Sequence, residues 1–200
     1  MTGAFEDGLA AFKVGNFAAA FEAFSKAAQQ GHAGAQANLG NMYAKGVGAP
    51  QDYRQAITWY RRAAEQAIPE AQYNLGLLYD SGEGVPQDDK QALNWYRKAA
   101  EQGHARAQYN LGLMYDSGQG VPQDFLQAVG WYRKAAEQEH AGAQYKLGQK
   151  YHAGQGVPHD FAQAVNWCRK AAAQGHVGAQ TNLGNMYFRG EGVAQDYQQA

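Results

Sequence analysis

Two hundred residues, 45% of them apolar and 12% aromatic, suffice for a packed core and argue against a disordered chain. Seventeen Lys and Arg against eighteen Asp and Glu leave a net charge of -1, which gives no electrostatic case for nucleic acid or an anionic lipid surface. One cysteine excludes an internal disulfide framework and a multi-cysteine zinc site, and no apolar run approaches the ~20 residues of a membrane span. The opening MTGAFEDGLAAF lacks a basic segment followed by an apolar one, so it does not read as a signal peptide. As it stands the chain reads as cytoplasmic, or as periplasmic or secreted if a signal has been removed.

The first expected element is a helical hairpin over residues 1–32. Nine residues separate Ala11 from Ala20, and Gly15, Asn16 and Phe17 occupy the turn. Beyond it the chain repeats every 36 residues. Trp59, Trp95, Trp131 and Trp167 keep that interval, as do Leu39, Leu75, Leu111, Leu147 and Leu183, each followed by Gly. Tyr43, Tyr79, Tyr115, Tyr151 and Tyr187 hold the same register, and so do Asp52, Asp88, Asp124, Asp160 and Asp196. A period of this length means stacked supersecondary units, none able to bury its own apolar face alone. The units run over 33–68, 69–104, 105–140 and 141–176, with a partial fifth over 177–200, all in one solenoid.

Each unit reads as two helices. Ala35, Leu39 and Tyr43 fall on one face of the first, and Ala56, Trp59, Tyr60 and Ala63 on one face of the second. The Trp and Leu series are expected in the core, with Gly40 and Ala56 admitting close helix contact. Loops such as SGEGVPQD (81–88) separate the helices. Their glycines end the first helix, and Asp88 is placed to cap the second. Gly31, Gly103 and Gly175 close units, whereas 33–68 ends in AIPEA, where Pro69 suits a helix start. Arg61, Arg97, Lys98, Arg133 and Lys134 read as a solvated outer face, paired along the helix with Glu65, Glu101 and Glu137.

Catalysis needs one singular constellation, and repeats dilute that signal. Ser81 and Ser117 share one loop slot and read as turn residues. Cys168 stands where Tyr60, Tyr96 and Tyr132 stand elsewhere, so a buried thiol and a local packing gap are expected. His32, His104, His140 and His176 share a boundary slot one repeat apart, too far to share a zinc ion with ligands at ~2 Å. His152 and His159 flank one loop; DSGEGVPQDD (80–89) lacks calcium-loop spacing; GEGV and GQGV read as turns. No metal and no cofactor are expected.

The pattern AxxxLGxxY, then GxGVPxD, then AxxWYxKAA resembles the Sel-1-like repeat, a relative of the tetratricopeptide repeat. Ala107, Leu111, Gly112, Tyr115, Gly118, Gly120, Val121, Asp124, Ala128, Trp131, Ala135 and Ala136 carry it in one unit. The resemblance implies an all-α, right-handed α-solenoid of antiparallel helix pairs. The short turn at 15–17 is closer to a plain tetratricopeptide hairpin, as suits an N-terminal cap. After Asp196 the chain runs YQQA without the expected Trp-Tyr, so the natural protein is expected to continue. A monomer is expected, with association possible through an uncapped C-terminal end.

The resemblance further implies that first helices line a concave surface. Its register there picks out Tyr73, Asn74, Leu77, Asp80, Tyr109, Asn110, Leu113, Asp116, Tyr145 and Lys146. Tyr supplies rigid area with a polar tip, Leu apolar contact, and Asn both a donor and an acceptor for an extended backbone. The same Tyr and Leu stripe also suits packing between units. The expected function is a non-catalytic scaffold for a protein or peptide of unknown identity. An enzyme accessory or weak hydrolase, with His152, His159 and Cys168 as its odd residues, and a passive spacer remain as alternatives.

Overall fold

The computed structural model describes residues 3–198 and 200. Met1 and Thr2 of the expected first hairpin, and Gln199 of the closing YQQA, lie outside the described residues. Eleven α-helices and no strand are formed among the described residues.

Local chemistry sets their ends. Asp52, Asp88, Asp124 and Asp160 are N-caps of second helices; Asp52 Oδ1 accepts from the N–H groups of Arg54 and Gln55 at 2.9 and 3.1 Å. Such a cap contributes about 1 kcal/mol. First helices end on left-handed glycines, Gly46, Gly82, Gly118, Gly154 and Gly190. Both features follow the sequence reading. The histidine N-caps of first helices do not, because histidine is an uncommon capping residue. His32, His104, His140 and His176 each turn Nδ1 onto the N–H three residues on, at 3.1–3.2 Å.

The chain divides into two compact units between Gln102 and Gly103. The first holds α1 (Ala4–Lys13), α2 (Phe17–Gln29), α3 (Ala33–Lys45), α4 (Tyr53–Glu65), α5 (Pro69–Ser81) and α6 (Asp89–Glu101). The second holds α7 (Ala105–Ser117), α8 (Phe125–Glu137), α9 (Ala141–Ala153), α10 (Phe161–Ala173) and α11 (Val177–Arg189). Within each unit, consecutive helices pack as hairpins, and the second helix of one hairpin packs on the first helix of the next. This is solenoid packing, and the fold is all-α.

The three repeats over 33–140 bury the Leu of the first helix and the Tyr of the second, and the fourth buries Leu147 and Cys168. Leu75, Leu111 and Leu147 are 0% exposed, as are Tyr96 and Tyr132. The Trp series sits shallower than expected: Trp95 is buried, but Trp59, Trp131 and Trp167 are only half-buried. The reason is the neighbouring ring. Tyr60, one position on, takes the inward stripe with Ala56 and Ala63, which moves the indole to the rim. Cations cover the exposed indole faces, with Lys98, Lys134 and Lys170 Nζ 4.2–4.4 Å from the Trp95, Trp131 and Trp167 ring centres. The following arginines reach onward to the next repeat: Arg61 donates to the Tyr79 hydroxyl, Arg133 to Tyr151, and Arg169 to Tyr187.

A buried glutamine ties neighbouring repeats together. Gln72, only 4% exposed, donates to the Ala64 carbonyl at 3.1 Å and accepts from Gln102 at 2.7 Å. In the second unit Gln144 does the same with Ala136 and Gln174. Both ends of the amide are thereby satisfied inside the core, where an unmade hydrogen bond would cost about 1–3 kcal/mol.

Candidate functional site

The residues expected to meet a ligand lie on α5, α7 and α9, and most of their side chains are half-buried. In the first unit, Tyr73 is buried with its ring 5.9 Å from that of Tyr96. Asn74 donates to Asn41 Oδ1 at 3.0 Å, and the same oxygen accepts from the Tyr60 hydroxyl at 2.7 Å. Asp80 accepts from the Tyr96 hydroxyl at 3.2 Å. Leu77 is half-buried beside them.

In the second unit, Tyr109 stacks on the His140 ring at 4.6 Å and tilts against Tyr132 at 6.0 Å. Tyr145 lies 4.6 Å from the His176 ring, and its hydroxyl accepts from Gln149 at 2.9 Å. The tyrosines therefore wall the first-helix face while packing on the next repeat. Asn110 and Lys146 are half-exposed and make no side-chain hydrogen bond among the described residues. Leu113 is half-buried between them in register.

Asp116 is held from two sides. It accepts from the Tyr132 hydroxyl at 3.1 Å and forms an ion pair with Lys150 Nζ. Lys150 is 6% exposed, its Nζ donates to Gln155 Oε1 at 2.9 Å, and it lies 4.4 Å from the Phe125 ring centre. Spacing alone places Asp116 on the first-helix face and does not single out Lys150. A signal was present: Met42, Leu78, Met114 and Met186 fill the same slot with apolar side chains.

Burial keeps the site's hydroxyls neutral. It raises the Tyr60 and Tyr132 phenols far above their ordinary value, with Glu70 and Asp116 respectively adding to the effect, and raises Tyr109 alone. These phenols are hydrogen-bond donors at any physiological pH. Burial also pushes the Cys168 thiol up to about 11, so it stays protonated and is a poor nucleophile.

Cys168 opens a cavity of about 360 Å³ in the second unit, lined by Gly148, Gln149, His152, Cys168, Asn182 and Met186 among others. This is the gap expected from a small side chain at a tyrosine slot. At its edge His152 Nε2 meets Glu191 Oε2 at 3.1 Å, and that hydrogen bond lowers the Glu191 carboxyl. His152 and His159 both turn edge-on to the Phe161 ring. No group of three His, Cys, Asp or Glu that could hold a metal forms among the described residues, and none of their helices is long and apolar enough to cross a membrane.

Stacked helical hairpins with an aromatic and amide-bearing first-helix face define a repeat scaffold. The sequence profile of the Sel1 repeat matches residues 4–32, 33–67, 69–104, 105–140, 141–176 and 177–200. The chain belongs to the Sel1 repeat family. The profile takes in 4–32 as well, despite its short turn. No curated protein matches the chain in sequence.

Among solved structures, a protective antigen of uropathogenic Escherichia coli with the same repeat fold is 43% identical, with a TM-score of 0.89, over 92% of this chain and 39% of that one. The chain thus spans well under half the length of that relative. A Sel1 repeat protein from Oxalobacter formigenes is 33% identical, with a TM-score of 0.94, over 100% of this chain and 79% of that one. Cysteine-rich protein B of Helicobacter pylori is 27% identical, with a TM-score of 0.54, over 66% and 96%. Sel1 repeat proteins generally mediate protein–protein interaction, and the family is generally a non-enzymatic scaffold.

Proposed function

We propose that this chain is a non-catalytic scaffold that holds an extended peptide or protein segment against the first helices of its repeats. The observation that carries this reading is the unengaged polar pair Asn110 and Lys146, each next in sequence to a stacked tyrosine, Tyr109 or Tyr145, with Leu113 and Lys146 lining one groove. An amide offers an extended backbone both a donor and an acceptor, and rigid aromatic walls lose little entropy on binding. Since Lys150 already neutralises Asp116, Lys146 is left as the uncompensated charge of this strip. The ligand segment is therefore neutral or acidic there.

The test is affinity capture from lysate with wild type against a triple variant, Asn110→Ala, Leu113→Ala and Lys146→Ala. These three side chains leave the Tyr–His stacking intact, so circular dichroism should show an unchanged fold. A partner retained by wild type and lost by the variant is the expected result. A partner retained equally by both places binding on the loops or the outer face. Retention by neither favours a spacer role.

A further inference from the structure

Three of the repeats fill one recess with a tyrosine of their own, and the fourth leaves it open. The ring of Tyr60 rests on Gly40, that of Tyr96 on Gly76 and that of Tyr132 on Gly112. In the fourth repeat Gly148 lies at the same register, but Cys168 stands opposite it, and the space a ring would occupy is the cavity of about 360 Å³. A cavity on the order of 150 Å³ already holds a benzene ring.

The polar partners of the absent ring are in place. The Tyr60 hydroxyl is held by Asn41, with Asn74 beside it; their counterparts one hundred and eight residues on, Gln149 and Asn182, both line the cavity. The Tyr132 hydroxyl is held by Asp116, whose counterpart His152 also lines it. Met186 supplies an apolar wall. The recess thus combines a flat backbone floor, a thiol end and three hydrogen-bonding groups at the far end.

We propose that the Cys168 recess is a binding site for one phenol ring, supplied as a tyrosine side chain of the peptide that the scaffold holds. That source rests on the peptide-binding reading above; the recess itself does not. The bound ring completes the fourth repeat as Tyr60, Tyr96 and Tyr132 complete theirs, with Gln149, Asn182 and His152 selecting a hydroxylated ring over a plain one. No covalent step is involved, because the thiol lies at the closed end and is protonated.

The experiment uses p-cresol, the tyrosine side chain without its backbone, titrated into the labelled protein and followed by amide NMR. Wild type should show saturable shifts confined to Gly148, Gln149, Asn182 and their neighbours, at millimolar ligand. Cys168→Tyr fills the recess from within and should show none of them, while melting at a higher temperature than wild type. Asn185→Trp, at an exposed position on the rim, gives a second block should Cys168→Tyr fail to fold. Absence of these shifts in wild type, or equal shifts in wild type and the blocked variants, overturns the proposal. The probe carries no peptide, so its failure leaves the scaffold reading standing. Loss of that reading in the capture experiment leaves p-cresol binding unaffected.

Discussion

The ring of Tyr132 lies against the backbone of Gly112 so closely that a Cβ on that glycine would stand 2.7 Å from two ring carbons. The Leu-Gly pair of each repeat is thus half core and half floor. Leu111 fills the interior, and Gly112 gives up its side chain so that the ring can approach. The first hairpin uses the same device, with Gly8 beneath Phe24.

An alanine at position 112 is therefore expected to cost about 1–3 kcal/mol, since Tyr132 is fully buried and has nowhere to move. Gly148→Ala meets Cys168 Sγ at 2.7 Å instead, beside an open cavity into which the sulfur can turn. It should cost clearly less. Urea denaturation of both variants decides this, and equal losses would mean that the recess offers no room.

How far the sequence carried the fold depended on whether a residue's role was local. The period, the hairpins, the aspartate caps and the glycine stops all follow from spacing and from single-residue chemistry. Burial rank did not follow, because Trp59 and Tyr60 are adjacent and only packing decides which points inward. The histidine caps were missed because His is an uncommon capping residue, and the Gln72–Gln102 tie because it joins positions thirty residues apart. At the candidate site the Tyr and Asn register was legible. That Asp116 belongs to Lys150 was not, since the two lie thirty-four residues apart and only the packing of α7, α8 and α9 brings them together.

Two boundaries lack the glycine their conformation favours. Gly31, Gly103 and Gly175 sit at φ 82–91°, whereas Ala67 and Glu139 adopt φ 61° at the corresponding turns. A Cβ in this region costs on the order of 1 kcal/mol. Ala67→Gly and Glu139→Gly are expected to raise stability by about 0.5–1 kcal/mol each, despite the added freedom of the unfolded chain. The mirror changes Gly103→Ala and Gly175→Ala should lower it. Denaturant midpoints report all four, and destabilisation by both glycine substitutions would count against left-handed strain there.

Lys150 and Asp116 form a pair whose members are unequal in consequence. Removing the acid with Asp116→Ala strands a buried ammonium and the Tyr132 hydroxyl, at about 2–3 kcal/mol once partial exposure of the pair is allowed for. Lys150→Met restores the apolar side chain that this slot carries in the other repeats and leaves the more exposed partner, Asp116, with its Tyr132 hydrogen bond, so it should cost less than Asp116→Ala. The double variant Asp116→Ala with Lys150→Met should recover most of the loss. A double variant as unstable as Asp116→Ala alone would show that the charge pair is not the cause.

The His140 cap makes stability depend on pH with a definite sign. His140 Nδ1 accepts the Ala143 N–H at 3.1 Å, so the capping form is the neutral ring with its proton on Nε2. Burial lowers the His140 pKa below its ordinary value, and nearby Arg106 lowers it further. The unfolded chain therefore takes up this proton at higher pH than the folded one. The cap's contribution is complete above the unfolded value of about 6.5 and is lost progressively as pH falls below it, toward the lower folded pKa. Chemical denaturation at about pH 7.5 and pH 5.5 should show a weaker fold at the lower pH. His140→Asn keeps a capping oxygen that does not titrate, and should reduce the difference between the two pH values. An unchanged difference in that variant would place the pH dependence elsewhere.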